Sequence, residues 1–335
     1  MKVVSIASVE ERMALPQAPE LPPFDARQIA DYGADAHLCV LDSNGEVRAH
    51  CSLWWKSAPL LDGRRAGAIG HYAGADDKAA SVLLSEAVDR LCEDACAVAI
   101  GPMDGNTWRR YRFVTGQGSV DPPEPPFFLE PLNPPEWPLQ FQRAGFRKLA
   151  DYYSALNTDL GQAGGRIEPV AARLADAGVE ICSAVNTDLH VQLKRIHQVS
   201  RVAFARNFLY TELPEDLFLG QYAGLLDRIR PELVLLAERA GQLVGYVFAI
   251  PDFAQAARGG PIDTFIIKTV AVLPDPALRG LGGVLVGRVQ QAGHRLGYRR
   301  AIHALMHEDN VSLRISSHYA NAMRRYTLYC REIAR

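Results

Sequence analysis

The stretch that most constrains the fold runs from Thr264 to Gly297 and reads TFIIKTVAVLPDPALRGLGGVLVGRVQQAGHRLG. Its first part, Phe265 to Val272, is rich in isoleucine and valine and stops before two prolines, which predicts a strand. Three glycines crowd the turn that follows. The amphipathic run behind them ends at Gly297, a residue suited to a left-handed helix cap. The stretch therefore predicts a strand, a glycine-rich turn and a helix in succession.

The turn has the composition of an anion-binding nest. Gly280, Gly282 and Gly283 let the backbone close around a bound group, and the helix N-terminus behind them adds a positive dipole end. A tight structural connection without any ligand is the alternative. A nucleotide P-loop would need Lys and then Ser or Thr after the last glycine, where Val284 and Leu285 stand. Leu285 also occupies the position of the third glycine of a dinucleotide fingerprint.

The order of residues around the turn is strand, V-x-P, R-G-x-G, helix, and it is carried by Val270, Val272, Pro274, Arg279, Gly280 and Gly282. This order resembles the acetyl-CoA signature of the GNAT superfamily of N-acetyltransferases. Two features depart from that pattern. Ala277 stands where the superfamily usually has Gln or Arg, and the loop from Val272 to Gly280 is about two residues longer than usual.

The order of predicted elements recurs along the chain, which indicates an internal duplication at the level of fold. The chain also resembles tandem GNAT-like bacterial proteins of unassigned function. The matching segments are PPFFLEPLNPP, QRAGF, FARNFLYTELPEDLF, ERAGQLVGYVFAIPDF and RRYTLY. The resemblance implies a mixed α/β (α+β) sheet in two tandem acyl-CoA N-acyltransferase domains. Residues 1–160, the first half, would be a degenerate domain, and residues 166–335, the second half, would hold the acetyl-CoA site. Gly161, Gly164 and Gly165 mark the linker between them.

The first half has the segment AGADDKAAS where the second half has its glycine-rich turn. Asp76 and Asp77 stand where a nest would need glycines and positive charge. Their carboxylates would repel a pyrophosphate. We therefore expect one CoA site per chain, in the second half.

The segment from Asp121 to Pro138 is the most proline-dense in the chain and is predicted to be a loop, because proline disrupts helices and central strands. Phe127, Phe128, Leu129 and Trp137 are expected to anchor it to its own domain. A recognition segment for proline-binding modules is the alternative.

The resemblance also implies how the co-substrate, acetyl-CoA, is held. In the GNAT fold the central strand and its successor splay apart, and the pantetheine arm fills the gap. Backbone groups of Val270 and Val272 would bond to the arm, and Asn310 would contact it at the start of the next helix. The pyrophosphate would be held by the nest, with one cation, through Arg279, Gly280, Leu281, Gly282 and Gly283.

Acyl transfer by direct attack of an amine needs orientation, a base for the ammonium proton and donors for the oxyanion. Glu308, at the end of the strand Arg300 to Met306, is the candidate base. The alternative is a solvated carboxylate near the cap of the next helix, which for Asp309 or Asn310 is at least as good an interpretation. His303 and His307 are further candidates, or structural histidines.

Many GNAT enzymes protonate the departing thiolate with a Tyr on the helix after the fifth strand. The matching position in this chain falls near Ser316 or Ser317, so the chain lacks that Tyr. Tyr319 and Tyr326 are the remaining candidate acids, and a packed ring is the alternative for each. A thiolate can also leave unaided, since a thiol has a pKa near 8.5.

The acceptor is expected to lie against the loop between the first two helices of the second half. Asn207, Phe208 and Tyr210 are the candidates for its wall, because exposed aromatic loop residues commonly bind ligands. The alternative is that Phe208 and Tyr210 cover the sheet. The acceptor would be a small-molecule or peptide amine.

Composition narrows the possible partners. A formal net charge of −2 gives no long-range attraction to nucleic acid or to an anionic membrane. The chain has no apolar run long enough to span a bilayer and no signal-peptide core, which favours the cytoplasm. Cys92 and Cys96 lack a second pair of ligands, so no metal is expected. We expect a monomer or homodimer.

The sequence supports two hypotheses for the function. The leading hypothesis is an N-acyltransferase that moves acetyl, or a related acyl group, from CoA to an amine in a ternary complex. The alternative is a CoA-binding regulatory or scaffold protein without turnover, since a fold can outlast its chemistry.

Overall fold

The structure is a computed structural model that describes residues 1–163 and 167–334. Gly164 and Gly165 of the predicted linker, and residue 166, where the second domain is predicted to begin, lie outside the described residues. Gly161 lies in a short 3-10 helix, Leu160–Ala163.

The strands of the described residues form a large mixed sheet. They are β1 Lys2–Ile6, β2 Ala36–Leu41, β3 Val47–Trp54, β4 Leu60–Leu61, β5 Arg64–Gly74, β6 Val98–Gly101, β7 Phe113–Gln117, β8 Arg147–Asn157, β9 Val179–Ser183, β10 Val234–Arg239, β11 Gln242–Pro251, β12 Thr264–Val272, β13 Arg300–His307 and β14 Asn321–Glu332. Their order across the sheet is β1-β2-β3-β5-β6-β14-β8-β13-β12-β11-β10-β9, with β4 paired to β5 and β7 to β14.

Helices connect these strands. They are α1 Val9–Ala14, α2 Arg27–Asp31, α3 Asp77–Glu93, α4 Glu136–Arg143, α5 Glu168–Asp176, α6 Leu189–Ala203, α7 Glu215–Ala223, α8 Phe253–Ala257, α9 Leu281–Arg295 and α10 Val311–Ser316. Further 3-10 helices are Leu226–Arg228, Pro231–Leu233 and Pro276–Leu278. No helix in the described part of the chain is long and apolar enough to cross a membrane.

The last strand of each half pairs with the other half. β14, near the C-terminus, lies between β6 and β8, with Tyr329 opposite Gly101. β8, which ends the first half, pairs antiparallel with β13, with Tyr153 opposite Met306. The exchange makes one continuous sheet of the two halves, so each half depends on a strand from the other. The domain division between residues 160 and 166 stays a prediction.

Helices of the second half pack on both faces of β12. Phe265 and Ile266 are successive residues of the strand, so their side chains point to opposite faces. Phe265 belongs to a buried cluster with Leu285 and Val289 of α9. Ile266 belongs to another cluster, with Phe218 of α7. Each such buried side chain contributes about 1.5–3 kcal/mol, and together they hold the central strand between two helical layers.

The proline-dense segment differs from its prediction in two ways. Its last residues are helical, because α4 begins at Glu136. Pro138 is tolerated there since the first N–H groups of a helix have no partner within it. Phe127 and Phe128 anchor the segment to the second half rather than to their own: Phe127 is buried with Ile250, and the Phe128 N–H donates to Asp252 Oδ1 at 2.7 Å. Leu129 is exposed and is not an anchor.

Candidate active site

The central feature of the site is a gap between two parallel strands. β12 and β13 pair from Thr264 opposite Arg300 as far as Ile267 opposite His303, and no further. β12 nevertheless continues to Val272, and β13 to His307. The two strands therefore separate at their C-terminal ends.

Backbone groups of β12 face this gap. The Leu273 N–H, directly after β12, donates to the carbonyl of Val244 on β11 at 2.9 Å. Successive residues of a strand point their peptide groups to alternate sides, so Ala271 also faces β11. Val270 and Val272 then present theirs to the opposite side, where β13 no longer pairs. This is the orientation that their predicted role requires.

The glycine-rich turn lies at the end of this gap. Gly280 precedes α9 with a φ of 90°, and a Cβ there would lie 2.7 Å from Val170 Cγ1 of α5, so both conformation and space favour glycine. Gly282 and Gly283 belong to the first turn of α9 instead. A Cβ on Gly282 would lie 3.5 Å from Ile315 Cδ1 and 3.8 Å from Val270 Cγ1. That turn therefore faces the space between β12 and α10.

The N–H groups of the turn are available to a ligand. Among the described residues no side chain caps the N-terminus of α9. Leu281 is fully buried, so only its backbone can take part in binding. A helix N-terminus with uncapped N–H groups attracts anions.

Two arginines lie beside the turn. Arg279, the predicted cation, is exposed. Arg173 of α5 donates to the carbonyl oxygens of Ala277, at 3.4 Å, and Arg279. Sequence reasoning missed Arg173, because the contact joins residues more than a hundred positions apart. The two side chains place positive charge at the entrance of the nest.

Glu308 follows β13 and is held by the exchanged strand β8. Its Oε1 accepts the Asp151 N–H at 2.8 Å, and its own N–H donates to the Asp151 carbonyl at 3.0 Å. Asn310 caps α10 by accepting the Ser312 N–H at 2.9 Å. The capping alternative for Asn310 is thus present, and its contact with a cofactor stays a prediction.

The two histidines of β13 differ in environment. Burial lowers the pKa of His303 to about 4, and its ring centroid lies 6.3 Å from that of Tyr319. His307 packs between Tyr152 and Phe208, with ring centroids at 4.9 and 5.2 Å. Burial is the main cause of its lowered pKa. Its Nδ1 accepts the Asp309 N–H at 3.1 Å, so the neutral ring carries its proton on Nε2.

The two candidate acids lie in different places. Tyr319 joins the apolar cluster that contains Val270, Val272 and Ile315, beside the gap. Tyr326 lies on β14, which β8 and β13 separate from β12. It is fully buried, its hydroxyl donates to Glu130 Oε1, and burial raises its pKa. The structure brings Tyr319 to the gap and does not bring Tyr326 there.

The predicted acceptor wall spans the two halves. Phe208 contacts His307 at the end of β13, and Tyr210 lies 6.0 Å from Trp108 of the first half, between ring centroids. The Trp108 indole N–H donates to the carbonyl of Thr211 at 2.7 Å. Asn207 is exposed. The loop therefore covers the sheet and also borders the end of β13, and both interpretations of Phe208 and Tyr210 remain.

The corresponding cleft of the first half is filled by its own chain. β5 and β6 pair only through Ala68 opposite Ile100. Beyond that point, the Met103 N–H donates to the Ile69 carbonyl at 2.8 Å. The Trp137 indole N–H donates to the Gly74 carbonyl at 3.1 Å.

The helix that follows this cleft is capped and paired. Asp76 accepts the Ala79 N–H at 2.8 Å at the N-terminus of α3, and Asp77 pairs with Arg143 of α4. At this helix N-terminus a carboxylate of the chain itself thus takes the place that an anion would occupy. In the described parts of the chain, no group of three or more His, Cys, Asp or Glu side chains is arranged to hold a metal ion.

Lys268 is a further residue that sequence reasoning missed. It is the extra residue of a bulge in β12, next to Ile267, where the pairing with β13 ends. The signal was present as the one charged side chain in the run TFIIKTVAV. Local pattern alone does not show that this lysine would line the site.

Comparison with solved structures identifies the fold. No family model and no curated protein matches the chain. A GCN5-related N-acetyltransferase (GNAT) from Sphaerobacter thermophilus aligns with 89% of this chain and 81% of its own, at a TM-score of 0.51 and 15% identity. The GCN5-related glucosamine N-acetyltransferase region of a fungal multi-domain GH3 β-N-acetylglucosaminidase aligns with 91% of this chain, at a TM-score of 0.54 and 13% identity. This chain spans only 34% of the fungal one. The fold is that of the GNAT proteins.

The tandem arrangement is also shared. A tandem GNAT protein from the clavulanic acid biosynthesis pathway, solved without AcCoA, aligns with 100% of this chain and 99% of its own, at a TM-score of 0.51 and 13% identity. The chain therefore has a tandem GNAT fold over its whole length.

Proposed function

We propose that this protein is an N-acyltransferase that transfers acetyl, or a related acyl group, from CoA to the amine of a small molecule or peptide. The observation that carries the proposal is the separation of β12 from β13 beyond Ile267. Peptide groups of Val270 and Val272 face that gap, and the uncapped N-terminus of α9 closes one end of it. A thioester arm and its pyrophosphate need these two features side by side.

Each part of acetyl-CoA has residues suited to hold it. Val270 and Val272 offer backbone bonds to the pantetheine arm. Backbone N–H groups of the turn bind the pyrophosphate, with Arg279 and Arg173 as cations beside it. Asn310 borders the arm. The bound thioester supplies an activated acyl group, and the protein contributes its orientation against the acceptor amine.

Glu308 is the proposed base. Its Oε1 is fixed by the Asp151 N–H, while Oε2 has no hydrogen-bond partner among the residues described. A carboxylate held by one oxygen and open at the other is positioned to receive the ammonium proton, directly or through water. Tyr319 is the proposed acid for the thiolate, because it lies beside the gap. Phe208 and Tyr210, with Asn207, form the wall of the acceptor site.

The alternative is a CoA-binding regulatory or scaffold protein. One observation favours it: the site residues Glu308 and Asn310 both make structural hydrogen bonds that would exist without any catalysis. The proposal also includes the cytoplasmic location and the monomeric or homodimeric state expected from the sequence.

An assay of thiol release separates the two functions. Acetyl-CoA is added to the protein with and without a panel of amines, and the thiol liberated is followed over many turnovers. The enzyme function predicts amine-dependent, steady release at more than one equivalent per chain. Saturable CoA binding without amine-dependent release would establish the binding function instead.

A further inference from the structure

Lys268 occupies a defined place at the entrance to the gap. It directly follows Ile267, the last residue of β12 to pair with β13, and the bulge there makes it an extra residue relative to β11. Its ammonium lies over the ring of Tyr222 on α7, 5.6 Å from the centroid. The side chain thus points to the layer of α6 and α7, where the acceptor is expected.

The described residues provide no counter-ion for this ammonium. Lys56 pairs with Asp35 at 3.1 Å, and Lys148 pairs with Asp151 at 3.1 Å. Across residues 1–163 and 167–334, no carboxylate forms such a pair with Lys268. The Lys268 side chain is exposed to solvent. The protein atoms near it partly desolvate the ammonium, which lowers its pKa.

Because the side chain is exposed, water can solvate the ammonium in the free protein, and the contact with the Tyr222 ring adds only a modest stabilisation. A ligand that brings a negative group to this position would complete an ion pair with Lys268. The position at the end of the paired segment puts that group within a side chain's length of the reacting end of the gap.

We propose that the acceptor is an amine that also carries a carboxylate, such as an amino acid, and that Lys268 binds this carboxylate. This inference rests on the proposed acyltransferase function and adds the chemical class of the acceptor. Lys268 is then a specificity residue that orients the acceptor, and the amine of the acceptor remains the nucleophile that forms the new amide bond as CoA leaves.

The test compares matched pairs of amines, each pair consisting of an amino acid and its carboxamide. The full-length protein with acetyl-CoA is expected to prefer the carboxylate member of at least one pair by tenfold or more in kcat/KM, the effect of a charged hydrogen bond. In Lys268→Met this preference is expected to disappear, mainly through a higher KM. Lys268→Arg keeps the positive charge and is expected to retain much of the preference.

Lys194 provides the matched control, because it is an exposed lysine on α6 of the same half. Lys194→Met should keep the wild-type preference. Equal use of both members of every pair by the wild type would overturn the inference, with no variant needed. A preference that survives in Lys268→Met would overturn it too, and so would mass spectrometry that finds the acyl group on Lys268 itself.

The same measurements distinguish a failure of the proposed function from a failure of this inference. If CoA binds but no amine is acylated, the acyltransferase proposal fails and the inference falls with it. If amines are acylated without regard to the carboxylate or to Lys268, only the inference about the acceptor fails.

Discussion

The indole N–H of Trp137 donates to the carbonyl of Gly74, 3.1 Å away, and so closes the cleft of the first half from within. The Ala75 N–H donates to the Arg48 carbonyl, as the Leu273 N–H donates to that of Val244, so Gly74 corresponds to Val272. The group that would bond to a pantetheine arm in one half is bonded to a tryptophan in the other.

We predict that Trp137→Phe destabilises the protein without opening a second site. Loss of the indole donor leaves the Gly74 carbonyl poorly paired and should lower the free energy of unfolding by about 1 kcal/mol in urea titrations. Asp76 still caps α3, so calorimetry should still give one equivalent of CoA per chain. A second equivalent bound by wild type or variant would refute this account of the first half.

Glu308→Gln tests the proposed base. The amide oxygen can still accept the Asp151 N–H, so local structure is kept while proton acceptance is lost. We expect kcat to fall about 10²–10⁴-fold with unchanged affinity for CoA. The neighbouring exposed residue provides the control, Asp309→Asn, which should behave as wild type. Unchanged kcat in Glu308→Gln would rule this residue out.

The two tyrosines should respond differently to loss of their hydroxyls. Tyr326→Phe removes the donor to buried Glu130 and should cost about 1–3 kcal/mol of stability, with turnover of the folded protein within about tenfold. Tyr319→Phe should lose less stability than Tyr326→Phe, and its kcat should fall if Tyr319 protonates the departing thiolate. Both variants should bind CoA. More than tenfold loss of kcat in folded Tyr326→Phe would contradict its position outside the site.

Buried histidines of the first half predict sensitivity to acid. Burial lowers the pKa of His50 and His71 to about 3, and both ring nitrogens of His50 lack partners among the described residues. The unfolded chain binds protons at these positions below about pH 6.5, but the folded chain does not until about pH 3. The free energy of unfolding should therefore fall as the pH drops through that window.

Replacing one of these histidines should reduce that fall. His50→Leu is expected to lose less stability than wild type between pH 7 and pH 5, measured by urea unfolding at each pH. His190→Leu, at an exposed helical position, should keep the wild-type dependence. Identical pH dependence in His50→Leu and wild type would contradict the assignment of acid sensitivity to this residue.

The sequence predicted the strand and the helix of the candidate site better than the sheet around them. The strand, turn and helix between Thr264 and Gly297 depend on local periodicity and on glycine, and β12 and α9 lie there in the structure. The exchange of β8 and β14 depends on pairing between distant residues, such as Asp151 with Thr327, which no local pattern encodes.

Some candidate site residues could likewise be proposed from local sequence, and others needed the tertiary structure. Val270 and Gly280 could be assigned from their own segment. Arg173 and Lys268 could not, because their part in the site depends on which elements pack beside them. Tyr326 could not be separated from Tyr319 for the same reason: its strand crosses to the other half.

Calorimetric titration of CoA into wild type and Gly282→Asp tests the central claim most directly. A side chain at residue 282 would start 3.8 Å from Val270 Cγ1 and 3.9 Å from Val272 Cγ2, and its carboxylate would oppose a pyrophosphate. Aspartate suits the first turn of a helix, so thermal unfolding should be unchanged. Gly224→Asp, at an exposed position with open space around it, is the control. We predict one equivalent of CoA bound by wild type and control and none by Gly282→Asp. Unchanged affinity in Gly282→Asp would contradict the assignment of the site.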